Sequence, residues 1–275
     1  MAGPADSRNF LRDIVADKRR EVGLMKQAGG IKALRQLIDK APPARSLEQA
    51  LTMAGQPRII AEIKRRSPSK GTLAGPIDVV RLAAEYASAG ACALSVLTDN
   101  AYFGGSTEDL AAAKRSGDIP VLRKEFIIDE FQVYESRALG ADSLLLIVRL
   151  LGNGIGAYIR LSRKLGMEPL VEVHSEDELS TALDAGARMV GINSRNLETF
   201  EIDTDVVKKL AGHIPDTVYT IAESGIASAT TIAEFLRLGI DGFLIGEALM
   251  CADSPAKKLR ELISGFKTSL STERR

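Results

Sequence analysis

A chain of 275 residues with 45% hydrophobic content can bury one large core. Its 36 Lys and Arg balance its 36 Asp and Glu, which excludes a broad basic field for nucleic acid and an acidic disordered tail, so charge selectivity must be local. Cys92 and Cys251 lie far apart with no CxxC or CxxH companion, and nowhere do 18 apolar residues run together, so disulfide, zinc and membrane-spanning classes are set aside and a cytoplasmic protein is expected.

The first 20 residues are rich in charge and lack an apolar signal core. The pattern predicts a charged amphipathic helix near 9–25, and Pro42-Pro43 breaks the chain before the first strand. Residues 1–55 are read as a helical extension that caps the catalytic domain, and 56–270 as that domain. Short apolar runs then predict strands at 58–63, 93–97, 120–123, 143–148, 169–173, 189–192, 218–222 and 241–245. Helix starts lie between them. Asp78 precedes the stripe Val79, Val80, Leu82, Ala83 and Tyr86, and Ser175 with Glu178 three residues on reads as a capping box.

A repeat organises these elements. Gly90, Gly140, Gly186 and Gly239 each close an amphipathic stretch and precede an apolar run, at intervals of 50, 46 and 53 residues. A left-handed glycine ending a helix before the next buried strand fits each copy. Each interval holds two βα units, so four copies make eight. The fold class is therefore α/β, a single (β/α)8 TIM barrel with an N-terminal helical extension capping the barrel. A doubly wound open sheet is the alternative, and it explains the even repeat less well.

Charged residues cluster at one end of the predicted strands: Glu62 and Lys64, Lys124, Glu172, Asn193 with Arg195, and Glu223 with Ser224. Glu62 and Lys64 are two apart and share a strand face, while Ala61 and Ile63 take the other. One charge at a strand end is an ordinary solvated loop residue; five strands agreeing mark the mouth where barrel enzymes place their catalytic groups. After the last two strands, Ser224-Gly225 and Gly246-Glu247 offer backbone N–H groups and short helix starts to a phosphate. Ser67-Pro68-Ser69-Lys70-Gly71 could close over the same anion.

Other signals carry less. Gly152-Asn153-Gly154-Ile155-Gly156 with Glu172 beyond it loosely matches a dinucleotide fingerprint, but Glu172 belongs to the next strand of the repeat, so a flexible glycine-rich loop is the preferred reading. His174 enters a predicted surface helix, where a structural role is the commoner one, and His213 sits in a turn. Two histidines without HExxH spacing leave metal chemistry unsupported.

Taken together, Ile60-Ala61-Glu62-Ile63-Lys64-Arg65-Arg66-Ser67-Pro68-Ser69, Leu94-Ser95-Val96-Leu97-Thr98-Asp99, Val121-Leu122-Arg123-Lys124-Glu125-Phe126, Leu170-Val171-Glu172-Val173-His174, Gly191-Ile192-Asn193-Ser194-Arg195 and Ala222-Glu223-Ser224-Gly225 resemble the indole-3-glycerol-phosphate synthase family. The likeness runs from about Phe10 to the last helix, and Glu-x-Lys-x-x-Ser-Pro-Ser is its specific part. It implies ring closure of 1-(2-carboxyphenylamino)-1-deoxyribulose 5-phosphate to indole-3-glycerol phosphate, with loss of carbon dioxide and water, and no cofactor. By the same resemblance Lys124 is the acid of closure, helped by Glu62 and Lys64, and Glu172 moves protons during dehydration. Asn193 and Glu223 complete the polar ring. Arg195 and Lys64 would hold the substrate carboxylate, Phe103 and Phe126 would flank its ring, and the phosphate would sit on Ser67, Ser224, Gly225, Gly246 and the Glu247 backbone. Ser194 and Glu125 depart from the commoner Asn and Asp.

The implied partner is a small phosphorylated substrate, with no nucleic acid and no membrane. A monomer is the working expectation, although no sequence feature fixes oligomeric state. Two other functions stay open: an aldolase using Lys124 as a Schiff-base nucleophile, and a phosphate-ligand binding module without catalysis.

Overall fold

The computed structural model describes residues 10–52 and 57–272, with side chains described as far as 265. The predicted start of the first helix at residue 9 and the boundary at 55/56 lie outside the described residues. Among the described residues eight strands build the barrel: β1 (Arg58–Ile63), β2 (Ala93–Leu97), β3 (Val121–Lys124), β4 (Ser143–Ile147), β5 (Leu170–Val173), β6 (Met189–Asn193), β7 (Tyr219–Glu223) and β8 (Gly242–Ile245). Each pairs in parallel with its sequence neighbours, and β1 closes onto β8 through Arg58↔Gly242 to Ala61↔Ile245. The barrel is closed, so the open-sheet alternative falls.

Strict alternation along these short strands sorts the apolar residues into two cores. Ala61, Val96, Leu144, Val171, Val190, Ala222 and Phe243 point outward into the layer shared with the helices. Ile60, Leu122, Leu145, Leu170, Met189, Ile221 and Leu244 fill the barrel itself. The repeat glycines behave as the pattern requires. Gly90, Gly140, Gly186 and Gly239 have φ of 101°, 88°, 81° and 85°. The next residue's N–H turns back to the helix, as in Ala91 N–H to Tyr86 O at 3.0 Å and Ala141 N–H to Ser136 O at 3.0 Å, so each glycine stops one helix and aims the chain at the following strand.

Three polar residues extend the predicted strands by one position. Lys124, Asn193 and Glu223 are the last residues of β3, β6 and β7, with Leu97↔Lys124 and Asn193↔Glu223 in register. The ladder therefore runs into the polar tips, which holds those side chains on rigid backbone. At the other ends, strands begin after Pro120 and Pro169, which have no N–H to give the ladder.

The extension reaches both ends of the barrel. Helix α1 (Phe10–Ala28) places Leu11 and Ile14 in the inner core with Phe126 and Leu197, at the C-terminal ends of the strands. Helix α2 (Gly30–Ile38) comes next, and α3 (Leu47–Thr52) sets Leu47, Ala50 and Leu51 against the strand starts. Leu51 Cδ2 lies 2.8 Å from where a Cβ on Gly242 would stand, and Arg58 Nε donates to Leu51 O at 3.2 Å. No helix among the described residues is long and apolar enough to cross a membrane.

Two local expectations change. The glycine-rich segment is not an open loop: a short helix, Val148–Leu151, leads through a 3-10 turn at Gly152–Gly154 into the helix Ile155–Lys164. The capping box at Ser175 is half formed. Ser175 Oγ accepts the Glu178 N–H at 3.3 Å, but the Glu178 carboxylate takes the N–H of His174 at 2.8 Å, one residue before the cap. A reciprocal box forms instead at Asp129 and Gln132.

Candidate active site

A cavity of about 440 Å³ opens at the C-terminal mouth, a size suited to a small organic ligand. Its floor is the set of strand-end residues. Glu62 and Lys64 come from β1 and its exit, Lys124 from β3, Glu172 from β5, Asn193 from β6 and Glu223 from β7. Lys124 Nζ donates to Glu172 Oε2 at 3.0 Å and, more closely, to Glu223 Oε2. Lys64 Nζ donates to Glu62 Oε1 at 2.6 Å. All three carboxylates are buried.

Small residues make room for these acids. A Cβ on Gly246 would collide with Glu62 Oε1, and one on Gly191 with Glu223 Oε1. The clash at Gly191 meets the end of a movable side chain, so Gly191→Ala is expected to fold with little change in Tm while pushing the Glu223 carboxylate off Lys124. Displacements of that size cost about 10²-fold in rate. A Gly191→Ala protein with unchanged kcat would show that the Glu223 position is not critical.

Burial and mutual charge set the protonation states. Burial alone would deprotonate Lys124, but Glu172, Glu223 and Glu62 outweigh it and hold the ammonium above its ordinary range. Burial raises Glu223 to about 7, with Glu172 and Glu62 adding to the shift and Lys124 opposing it. Glu172 goes the other way: burial is overcome by Lys124, His174 and the Asn193 amide, and its carboxyl is held below the usual range. One cation thus divides two carboxylates into an ionised one and one that can hold a proton near neutrality, the arrangement acid and base roles require.

At one side of the cavity, backbone and cations gather. Ser224 and Gly225 adopt left-handed φ of 65° and 72°, and Asn193 Oδ1 fixes this turn by accepting Ser224 Oγ–H at 2.8 Å and Arg195 N–H at 3.0 Å. The short helix Glu247–Met250 begins after Gly246. Lys70 Nζ and Arg195 Nη2 hold the Glu247 carboxylate at 2.7 Å and 3.1 Å, and Arg195 Nη1 also donates to Ser69 Oγ at 3.1 Å and Phe200 O at 3.2 Å. Of the sequence-selected residues, Ser67 alone does not line the cavity. It is buried in the antiparallel hairpin Arg66–Ser67 with Gly71–Thr72, where its Oγ accepts the Lys70 N–H at 3.3 Å.

The opposite side is apolar. Phe103 and Phe126 stand with ring centroids 5.9 Å apart and 36° between planes, beside Ile14 and Leu197. Behind them lies a buried ion cluster that motifs alone do not reveal. Lys18 of α1, 2% exposed, pairs with Glu21 at 2.6 Å, Glu125 at 3.1 Å and Asp99 at 3.2 Å. Asp99 Oδ1 accepts the N–H groups of Tyr102 and Phe103 at 2.7 Å and 3.2 Å, and Glu125 Oε1 accepts that of Phe126 at 2.8 Å. A signal for it does exist: Lys18 falls in the stripe Leu11, Ile14, Lys18, Val22 that α1 buries. Lys70, inside the Ser67–Gly71 turn that the sequence brings over the anion, lines the cavity as a cation that the sequence gives no role of its own. The His174 imidazole, 6% exposed, lies 3.4 Å from Glu172.

The family model described as indole-3-glycerol phosphate synthase matches residues 11–262. An indole-3-glycerol phosphate synthase of Kineococcus radiotolerans is 42% identical over 259 residues, covering 92% of this chain and 94% of that protein. One from Aquifex aeolicus is 42% identical over 262 residues, covering 94% and 99%. Among solved structures, 3-hexulose-6-phosphate synthase from Salmonella typhimurium aligns with a TM-score of 0.61 at 17% identity, over 78% of this chain and 99% of that one, a likeness of fold.

Proposed function

The chain belongs to the indole-3-glycerol phosphate synthase family, and from that premise we propose how its mouth divides the work of the reaction. The enzyme closes the indole ring of 1-(2-carboxyphenylamino)-1-deoxyribulose 5-phosphate with loss of carbon dioxide and water, in tryptophan biosynthesis. The aromatic carbon bearing the carboxylate attacks the ketone, whose oxygen must gain a proton. Carbon dioxide then departs and restores the aromatic ring without a proton. Finally the new hydroxyl needs a second proton to leave as water, and a neighbouring C–H gives one up. The site must therefore deliver two protons and collect one.

Lys124 delivers the first. The observation that carries this role is its ammonium, held protonated between Glu172 and Glu223 on the cavity floor. The same burial in charge argues against an aldolase, because a Schiff-base lysine must offer a free amine. Glu172 serves the dehydration, Glu62 and Lys64 assist at the ketone, and Asn193 and Glu223 keep Glu172 and Lys124 in place. Phe103 and Phe126 take the aromatic ring. The phosphate takes the Ser67 hydroxyl and the N–H groups around Ser224, Gly225, Gly246 and Glu247, and the Ser67 hairpin also brings Lys70 there.

Lys64 and Arg195 are the cations for the substrate carboxylate. A charge-assisted hydrogen bond contributes about 1.5–3 kcal/mol, so Arg195→Ala should raise KM roughly 10- to 100-fold with a smaller effect on kcat; an unchanged KM removes Arg195 from the binding site. The overall reading is tested by incubating the enzyme with the substrate and following indole fluorescence, and no fluorescence under saturating substrate would overturn it. We assign the protein as a cytoplasmic monomer with residues 1–55 as extension and 56–270 as catalytic domain.

A further inference from the structure

Behind Glu172, the carboxylate assigned to the dehydration step, stands a buried imidazole. Glu172 Oε1 and His174 Nε2 are 3.4 Å apart, both are buried, and neither atom has a hydrogen-bond partner among the described residues. The other carboxylate oxygen of Glu172 is taken by Lys124. The other imidazole nitrogen, Nδ1, is 3.1 Å from Glu178 Oε2, which also accepts the His174 backbone N–H at 2.8 Å. Glu178 is fixed in turn by Arg149 Nε at 2.9 Å, and Arg149 approaches Glu198 at 3.9 Å. A row of groups thus runs from the cavity floor into the wall: Lys124, Glu172, His174, Glu178, Arg149.

The donors and acceptors along this row leave one place undecided. Glu178, charged and held by Arg149, can only accept, so Nδ1 carries a hydrogen and donates to it. Nε2 then meets a carboxylate oxygen with its own lone pair unless a proton lies between the two atoms. Two acceptors facing each other in a buried site are unfavourable, and one shared proton satisfies both. The charged groups around the imidazole are Glu172 on the preceding strand β5, Glu178 on the following helix, Arg149 on the helix after β4 and, through Glu172, Lys124 of β3.

We propose that His174 is a positioning residue that holds a shared proton with Glu172 and reloads it during dehydration. The proposal rests on the assignment of Glu172 to that step. The proton shared by the imidazole and the ionised carboxylate passes through Glu172 to the hydroxyl, whose C–O bond breaks with the electron pair leaving on oxygen as water, while the ring nitrogen supplies electrons to the carbon left behind. The adjacent C–H then breaks, its electrons forming the indole double bond, and its proton returns to the Glu172–His174 pair. The pair ends as it began. The one proton the overall reaction consumes is the one given by Lys124, which solvent replaces.

The test compares His174→Asn and Glu172→Gln with the parent enzyme in single turnover, recording carbon dioxide release and indole fluorescence separately. Asn keeps the bond to Glu178 from the Nδ1 position and cannot reach Glu172, and Tm measures whether the fold holds. His174→Asn should release carbon dioxide at nearly the parent rate but form indole with a lag, lowering kcat about tenfold or more, with KM within about twofold and the pH profile of kcat shifted. His174→Gln, which can donate to Glu172 but cannot carry a proton through, should keep the lag. Parent-like indole formation and pH profile in His174→Asn, with Glu172→Gln inactive, overturns the role of His174 alone. Parent-like turnover in Glu172→Gln overturns both the assignment of Glu172 and the relay. A rise in KM with unchanged kcat reduces His174 to a structural residue and overturns the proposal.

Discussion

Lys124→Ala is expected to reduce kcat by at least about 10³-fold, equivalent to roughly 4 kcal/mol of transition-state stabilisation, while a product analogue still binds. The size reflects two losses at one atom. General-acid catalysis contributes about 10²- to 10⁴-fold, and Lys124 is the cation on the cavity floor bonded to both Glu172 and Glu223. Without it, two buried carboxylates face one another with only Lys64 and His174 nearby, and both must take up protons to remain buried. Glu172 then loses the ionised state that Lys124 helps maintain. Lys124→Arg separates the two losses. It restores the charge and should recover much of the Tm, yet a guanidinium gives up its proton too reluctantly to act as the acid. Indole fluorescence under saturating substrate and equilibrium binding of the analogue read the two effects independently, and turnover by Lys124→Ala within tenfold of the parent would remove Lys124 from the acid role.

The positions of these residues are legible without coordinates because barrel geometry writes itself into sequence. A helix that must stop and turn into a buried strand needs a left-handed residue, so Gly90, Gly140, Gly186 and Gly239 mark the bottom loops. The opposite ends of the same strands carry the polar residues, since only there can the inner face meet a ligand instead of apolar packing. Contacts between distant elements leave no such mark. Lys18 lies about 80 residues before Asp99 and over 100 before Glu125, and its place on an apolar stripe indicates burial without naming the acids that make burial tolerable. A helix-entry residue such as His174 is generally solvated; here Glu178 reaches back to its N–H and ring and turns the imidazole inward. Ser67, which the resemblance puts on the phosphate, sits in the hairpin, where its hydroxyl accepts the Lys70 N–H and keeps its own proton to donate.

Lys18→Met should destabilise the fold by about 3–5 kcal/mol, because removing one partner of a buried ion cluster leaves the others charged and uncompensated. For a protein of this size that corresponds to a Tm lower by on the order of 10 °C. The deficit should depend on pH in a defined direction. In the parent, Glu125 is subject to burial, which raises its pKa, but Lys18, Arg123, Thr98 and the Phe126 N–H bring it below its ordinary value. Its contribution to stability is therefore present above the ordinary carboxylate pKa and is lost as pH falls through the depressed folded value. In Lys18→Met the largest opposing charge is gone and burial pushes Glu125 upward, so acid now relieves the strain of an unpaired carboxylate. The gap between the two proteins should narrow as pH drops from about 7 towards about 5, and adding Glu125→Gln to Lys18→Met should recover part of it near neutrality. Function should change with structure in a particular way. Asp99 and Glu125 fix the N–H groups of Phe103 and Phe126, so loosening them disturbs the aromatic wall and leaves the Lys124 centre intact. At a temperature where the variant is folded, KM should rise more than kcat falls. A Lys18→Met enzyme with parent stability, or one whose deficit grows in acid, would show that the buried ion cluster does not hold α1 to the barrel mouth.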